Sequence, residues 1–283
     1  MLLAQLNNEL WKLFGKKRTY IGFGAFVVVQ SVILSIFKYT HHWDNHVGRL
    51  LSLNGYDASE YLSALTIAFI MLLPQIGLLM PLYVTLVGGD LVAKEVEDGT
   101  LRMILSRPVS RVRLLFVKWV AGVIFTAVLV VALGATALGF ARLYFPWMGM
   151  FAFSPDSEDY SGFSLFTANQ GLVLYALSHL FMVINAVTML SVAFMFSCFN
   201  MKPAAATILA LSYLFINMVL QHIPFFDVYQ NWFITHHLES WSWVYQQPIS
   251  WPVIFQSEIV LVATSATAFI IGAMAFQVRD IKS

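Results

Sequence analysis

Six stretches of this chain carry no aspartate, glutamate, lysine or arginine, and each is long and apolar enough to form a membrane-spanning helix. A helix needs roughly 20 mostly apolar residues to cross the core of a bilayer. The charge-free stretches are Thr19 to Phe37, Tyr61 to Gly89, Trp119 to Ala141, a span within Tyr160 to Met201, Pro203 to Phe226, and Ile259 to Val278. This pattern predicts an all-α polytopic membrane protein with six transmembrane helices.

The composition supports this fold class. Of the 283 residues, 59% are hydrophobic and only 11% are charged, a balance that would leave too much apolar surface on a water-soluble domain. We predict a single membrane domain over residues 1–283. Its six spans are predicted at residues 19–37, 61–89, 115–141, 172–197, 203–222 and 253–277.

Residues 1–17 precede the first apolar stretch and predict a separate short helix. Leucines recur at helical spacing on one face, and Trp11 stands beside Lys12, as is common in interfacial anchors. An amphipathic helix of this kind lies in the membrane interface rather than across it. The alternative is a frayed tail with a weak apolar face.

Positive residues are distributed unevenly between the two sides that six crossings define. Of the 16 lysines and arginines, all but Lys38, Arg49 and Arg142 fall on the side of the N-terminus. Lysine and arginine near short loops are retained in the cytoplasm, so both termini are predicted to be cytoplasmic. The formal net charge of +1 hides this asymmetry, and a nucleic-acid partner is not expected.

Residues 223–252, between the fifth and sixth spans, form an outer segment rich in aromatic residues and poor in charge. Among its aromatic residues are Trp232, Trp241, Trp243, Tyr245 and Trp251. Because this composition is unusual for a solvated loop, we predict short re-entrant helices that dip into the outer leaflet where protein covers their ends. The alternative is an ordinary belt of interfacial aromatic residues.

The segment of residues 90–114, between the second and third spans, is charged and reads as a series of short helices. Gly88 and Gly89 are expected to loosen the end of the second span, after which Asp90 starts a charged helical piece. The further boundaries predicted here are Gly99 and Pro108 as helix ends, and Thr100 and Ser110 as helix caps. Such a segment would lie beneath the membrane as a docking surface for another protein.

The sequence of residues 88–119, GGDLVAKEVEDGTLRMILSRPVSRVRLLFVKW, resembles the cytoplasmic signature of the ABC-2 type transporter permeases. In that family an acidic residue, an E-x-E-x-GTL core and an S-x-PVSR run follow the second span. Two weaker similarities lie near the ends of the chain: NELWKLFGKKRTYIG is similar to the family's interfacial elbow, and FQVRDIKS to its usual C-terminus. The resemblance therefore extends over the whole chain.

This resemblance implies a six-helix half of a type V ABC exporter in a bacterial cytoplasmic (inner) membrane. The chain would act as a dimer, most simply a homodimer, with two copies of a cytoplasmic ABC ATPase subunit. ATP and Mg would be bound by that subunit, whereas this chain would be no enzyme and would hold no cofactor; its sequence has no G-x-x-x-x-G-K-[ST] loop. The residues implied to form the ATPase-coupling region are Asp90, Lys94, Glu95, Glu97, Asp98, Gly99, Thr100, Leu101, Arg102, Ser106, Pro108, Ser110 and Arg111.

Two other functions are open at this point. In one, the chain transports nothing and passes ATP-driven movement to a periplasmic partner. In the other, it handles a metal through its outer histidines, which include the adjacent pairs His41 with His42 and His236 with His237. Adjacent histidines point apart on a helix, so neither pair chelates a metal alone.

Two amides fall near the middles of predicted spans, Gln75 in the second and Asn185 in the fourth. Buried amides in a membrane form hydrogen bonds between helices, and they also line transport paths, so we consider both roles. Pro74 and Pro81 flank Gln75 and are expected to break or kink the second span.

Glu258, near the outer end of the sixth span, and Arg142, at the outer end of the third, are the charged candidates for an outer gate. A structural ion pair and a proton relay are the two roles considered for them. The single cysteine, Cys198, excludes an intramolecular disulfide and a metal cluster built on cysteine.

Overall fold

A computed structural model describes residues 2–40, 47–105, 110–153 and 162–278, without the side chains of Arg18, Arg102, Ile104 and Leu105. The α-helices are α1 (Leu2–Phe14), α2 (Lys17–Tyr39), α3 (Arg49–Leu53), α4 (Ala58–Tyr61), α5 (Ala64–Pro74), α6 (Met80–Glu97), α7 (Thr100–Leu105), α8 (Arg111–Tyr144), α9 (Ala168–Cys198), α10 (Pro203–Gln221), α11 (Ile234–His237) and α12 (Trp251–Val278).

Six helical segments of the described ranges are long and apolar enough to cross a membrane, as the charge-free stretches predicted. They are α2, the combined α5 and α6, α8, α9, α10 and α12. The helix α9 is central, because it packs against α6, α8, α10 and α12. Its buried face is therefore the middle of the hydrophobic core.

The N-terminal helix α1 is a regular helix rather than a frayed tail. It packs against α8, with Glu9 and Leu13 buried and Trp11 72% exposed. The ring of Phe14 lies 5.2 Å from that of Phe125 in α8. Its apolar face is thus held by the bundle, and its location in the membrane interface remains a prediction.

The second span contains a π-helical turn, Gln75–Leu79, between α5 and α6. Pro74 and Pro81 flank this turn. Proline has no backbone N–H and its ring disturbs the preceding turn, so the regular hydrogen-bond ladder is interrupted between the two prolines. The irregularity expected from the prolines takes the form of this turn.

Gly88 and Gly89, predicted to loosen the end of the second span, lie inside a regular helix. The helix α6 continues through both of them, and residues 90–97 of the predicted coupling segment are its last two turns. A Cβ atom on Gly88 would lie 2.7 Å from the carbonyl oxygen of Leu190 in α9, and one on Gly89 would collide with Thr207 in α10. The two glycines therefore let three helices approach closely.

The third predicted span, residues 115–141, lies within a longer helix. Its helix begins at Arg111, because the Ser110 side chain accepts a hydrogen bond from the backbone N–H of Arg113. Ser110 is therefore the helix cap that the sequence predicted. At the other end α8 continues to Tyr144.

One connection of this all-α fold contains a short hairpin that the sequence did not predict. Strands β1 (Met150–Phe153) and β2 (Phe163–Phe166) form an antiparallel pair between α8 and α9. Both strands are rich in phenylalanine, and aromatic residues favour strands. The ring of Phe151 stacks on that of Phe163 at a centroid distance of 5.5 Å. The fold class is therefore all-α as predicted, with this short hairpin added in one connection.

Between α10 and α12 the chain forms a 3-10 helix (Pro224–Trp232), then α11 and a short 3-10 turn (Trp243–Tyr245). The second half of this segment is buried in the bundle. The ring of Tyr245 lies 4.9 Å from that of Phe69 in α5, and its hydroxyl is 2.8 Å from Ser178 Oγ in α9. The depth of these short helices in the bilayer remains a prediction.

Candidate coupling surface

The chain turns between α6 and α7 at Gly99. This residue has a backbone φ of +71°, in the left-handed region that favours glycine, which confirms it as the end of the preceding helix. The Thr100 hydroxyl, at the start of α7, donates a hydrogen bond to the Glu95 carbonyl at 3.3 Å. Ser106, Pro108 and the side chain of Arg102 lie outside the described residues.

The turn before Gly99 carries an exposed charged patch. Lys94 Nζ lies 2.7 Å from Glu97 Oε2 and 3.3 Å from Asp98 Oδ1. All three side chains are more than a third exposed, and ion pairs in water contribute little to stability. These charges are therefore accessible to a second protein.

Glu95 points away from that patch, into the protein. Its Oε1 forms an ion pair with Lys118 Nζ at 2.7 Å and accepts a hydrogen bond from Lys12 Nζ at 3.0 Å. Glu9 accepts from the same two lysines, at 2.7 Å from Lys12 and 2.8 Å from Lys118. We call these four residues the ion-pair cluster; it joins α1, α6 and α8 at the end of the bundle that carries the turn.

Three of the four side chains of the ion-pair cluster are shielded from water, whereas that of Lys12 is 37% exposed. The Lys118 side chain is 1% exposed, that of Glu9 10% and that of Glu95 16%. A buried ammonium group is tolerated only when it is paired and hydrogen-bonded, and two carboxylates satisfy that requirement here. Removing one member would leave an opposite charge buried without full compensation.

The ion-pair cluster also shifts the pKa of its two members on α1, Glu9 and Lys12. Burial alone would raise the pKa of Glu9, but the attraction of Lys118 and hydrogen bonds from both lysines outweigh it and hold that pKa below its usual 4.5. Burial alone would lower the pKa of Lys12, but its hydrogen bond to Glu9 and the attraction of Glu95 raise it above the usual 10.5. Both groups are therefore charged around neutral pH.

Sequence reasoning did not assign Glu9, Lys12 or Lys118 to the coupling region. One available signal was Lys118 itself, which lies between Val117 and Trp119 at the start of an apolar span. An ionisable residue in such a position is costly and calls for a partner of opposite charge. The identity of that partner, on a helix about a hundred positions away in the sequence, could not be read from the spacing.

Three other residues of the implied coupling region also face the interior of the described structure. Asp90 and Leu101 are buried, at 7% and 2% exposure. Arg111 donates hydrogen bonds to the carbonyl oxygens of Gln277 at 3.1 Å and Phe276 at 3.5 Å. Arg111 therefore ties the start of α8 to the end of α12.

Comparison with protein families tests the resemblance seen in the sequence. Residues 23–233 match the model of a family described as "ABC-2 family transporter protein". The chain belongs to the ABC-2 transporter family. This confirms the resemblance seen in the segment between the second and third spans, all of which lies within the match. No curated protein matches the chain.

ABC-2 permeases are multi-pass membrane subunits of ATP-driven transporters and work with separate ATPase subunits. The ABC-2 match begins within α2 and ends just before α11. The helix α1, which supplies half of the ion-pair cluster, lies outside it. The cluster is thus a feature of this structure that the family match does not describe.

The two amides predicted near the middles of spans, Gln75 and Asn185, both take part in hydrogen bonds between segments of this ABC-2 permease. Gln30 Nε2 in α2 donates to Gln75 Oε1 at 3.3 Å and to the carbonyl of Leu133 in α8 at 3.1 Å. Asn185 Nδ2 donates to the carbonyl of Leu238, after α11, at 2.6 Å. Gln75 and Asn185 do not meet, and a place for them on a transport path remains a prediction.

The structure does not bring Arg142 and Glu258 together. Glu258 is buried, and its Oε1 accepts a hydrogen bond from Ser240 Oγ at 2.7 Å. Arg142 is exposed and donates to the carbonyl oxygen of Phe145 at 3.4 Å. The expected ion pair is therefore not formed, because the outer segment supplies the partner of Glu258. A gating role for either residue remains a prediction.

The histidines offer no metal centre in the part of the chain that the structure describes. No group of three or more histidine, cysteine, aspartate or glutamate side chains converges there in a way that could hold a metal ion. His237 Nδ1 lies 2.9 Å from Ser257 Oγ, and its Nε2 lies 3.0 Å from the carbonyl oxygen of Asn231. His41 and His42 lie outside the described residues.

Proposed function

We propose that the chain is the permease subunit of an ATP-driven exporter that moves its substrate out of the cytoplasm or the inner leaflet. Two copies would form the pathway, and two copies of a separate ABC ATPase would bind ATP and Mg and drive it. Membership of the ABC-2 family supports the permease role. The outward direction of transport is what the resemblance to the type V exporters implies.

One observation carries the proposal: α6 bears Glu95 of the buried ion-pair cluster and ends in the exposed charged turn. Glu97 and Asp98 face outward at the end of α6, whereas Glu95 is paired to α1 and α8. A partner that grips the exposed turn would therefore pull on three helices together. We propose that this turn is the contact with the ATPase.

Movement of that turn would be carried along α6, which runs without a break from Glu97 to the π-helical turn at Gln75–Leu79. A rigid helix transmits a displacement along its length, and an irregular turn is a natural place for it to be absorbed. ATP binding would favour one arrangement of the helices only through contacts that differ between the two arrangements.

Cysteine labelling tests the orientation on which this proposal depends. In a Cys198→Ser background, Asp98→Cys and Asn169→Cys place one exposed thiol at each end of the bundle. A membrane-impermeant maleimide added to intact cells is expected to label the Asn169→Cys variant at least about tenfold more than the Asp98→Cys variant, because both termini are predicted to be cytoplasmic.

Opening the cells makes both thiols accessible, so comparable labelling of the two variants in broken membranes is the necessary control. Labelling of Asp98→Cys in intact cells, with Asn169→Cys protected, would reverse the orientation. The turn could not then meet a cytoplasmic ATPase, and the proposal would fail.

A further inference from the structure

A groove lies between α2 and α8 at the end of the bundle opposite the coupling turn. It encloses about 240 Å³ and is walled by Leu34, Phe140 and Leu143. Ser31 and Ser35 also line it, but their hydroxyls donate to the carbonyls of Val27 and Ser31 in their own helix, both at 2.8 Å. The groove therefore presents an almost entirely apolar wall toward the membrane.

Lys38 is the one cation among the described residues that line this groove. Lys38 Nζ lies 3.9 Å from the ring centroid of Tyr144 and 5.6 Å from that of Tyr39, within the range of a cation–π contact. No carboxylate of the described ranges lies within ion-pair distance of Lys38. The two rings fix the position of the ammonium group and leave its charge without an anionic partner in that part of the chain.

The groove extends from the end of α2 to a depth that fits a lipid headgroup and the start of its acyl chain. From Lys38, one residue before the end of α2, to Ser31 the helix rises by about 10 Å. Lys38 thus lies at the level where a membrane helix ends and phosphate groups begin, with the apolar wall extending into the hydrocarbon region.

We propose that this groove binds an anionic phospholipid, with the phosphate against Lys38 and one acyl chain along Leu34, Phe140 and Leu143. The charge of Lys38 selects the ligand. The phosphate of a zwitterionic lipid is already neutralised by the cation of its own headgroup, whereas the phosphate of an anionic lipid is free to pair with Lys38. The apolar wall binds the chain of either lipid, so Lys38 determines the preference between them.

Native mass spectrometry of the purified full-length protein tests this with equal concentrations of phosphatidylglycerol and phosphatidylcholine. Wild type is expected to retain phosphatidylglycerol with a preference of up to about fivefold, the size that one exposed ion pair supports. Lys38→Gln should bring the preference near one. Lys202→Gln, which removes an exposed lysine at the other end of the bundle, should leave it unchanged.

Ser35→Trp fills the groove from an exposed position and is expected to reduce the retention of both lipids. Inorganic phosphate at millimolar concentration is expected not to displace the bound lipid, because it cannot use the apolar wall. An unchanged preference in Lys38→Gln, or an equal loss in Lys202→Gln, would overturn the proposal. So would displacement by free phosphate, or a Ser35→Trp variant that retains lipid normally but no longer forms dimers, since a second copy would then occupy the groove.

Discussion

Replacing Lys118 with methionine is expected to lower the free energy of unfolding by about 3–5 kcal/mol, because Glu9 and Glu95 would keep buried charges with only Lys12 to compensate them. Methionine has a similar length and fills the same space, so the change isolates the charge. The unfolding of the purified protein in detergent, followed by circular dichroism against temperature and denaturant, measures the effect.

Lys94→Met is the matched control, since Lys94 makes two ion pairs of similar length on the same helix as Glu95 but is exposed. Its expected effect is within about 1 kcal/mol. Adding Glu95→Gln to Lys118→Met should recover part of the lost stability by removing one buried charge. Equal, small effects of Lys118→Met and Lys94→Met would mean that the cluster does not hold α1, α6 and α8 together.

The same variants differ in their response to acid. Because the folded-state pKa of Glu9 lies below 4.5, this group stabilises the fold above that pH, and the contribution is lost as the pH falls through the folded value. Wild type is therefore expected to lose stability as the pH falls below about 4.5. The Lys118→Met variant should lose less stability than wild type over the same pH range, since it lacks the strongest partner of Glu9.

Gly99→Pro is expected to uncouple ATP hydrolysis from movement of the membrane helices. Proline cannot adopt a φ of +71°, so the chain must leave α6 in another direction and the exposed turn is displaced. Strain of about 1–3 kcal/mol at such a position corresponds to roughly 5-fold to 150-fold in a conformational equilibrium. A fluorophore on Asn169→Cys, in a Cys198→Ser background, reports helix movement on ATP addition to the complex with the ATPase.

Gly55 offers a matched control, because it too has a positive φ, of +80°, and lies toward the other end of the bundle with open space around it. Gly55→Pro should leave the ATP-dependent signal close to that of wild type. Glu97→Lys reverses an exposed charge without disturbing the backbone and should reduce the signal as Gly99→Pro does. A normal signal in both Gly99→Pro and Glu97→Lys would place the ATPase contact elsewhere.

The spans were predictable because the bilayer imposes a simple rule on the sequence. A helix without charges over about 20 residues has few alternatives to crossing the membrane, and six such helices are found. The ends were less predictable: Gly88 and Gly89 lie inside α6 because they contact α9 and α10. A glycine pair looks the same in sequence whether it ends a helix or lets another helix approach.

The coupling surface was predictable only in part, for a related reason. The turn at Gly99 and the cap at Ser110 are local, and both were identified from residue type alone. The Glu95 side chain points inward because it pairs with Lys12 and Lys118, which come from other parts of the chain. Neighbouring residues such as Glu95 and Glu97 point to different sides of a helix, and which side is exposed depends on tertiary packing.

The connections on the other side of the membrane were the least predictable. Strands β1 and β2 are only four residues long and pair antiparallel, and no apolar stretch of membrane length marks them. Glu258 was paired with Arg142 in the prediction because both stand near span ends. The buried half of the outer segment instead brings Ser240 to Glu258, which only the folded arrangement reveals.

Photocrosslinking from position 98 tests most directly whether the turn between the second and third spans contacts a cytoplasmic ATPase. A photoreactive benzoylphenylalanine would replace Asp98 in one variant and Asn169 in another, with the tagged complex illuminated in its own membranes. We expect a crosslink from position 98 to an ATP-binding subunit and none from position 169. An active, ATP-hydrolysing complex that gives no such crosslink from position 98 would contradict it.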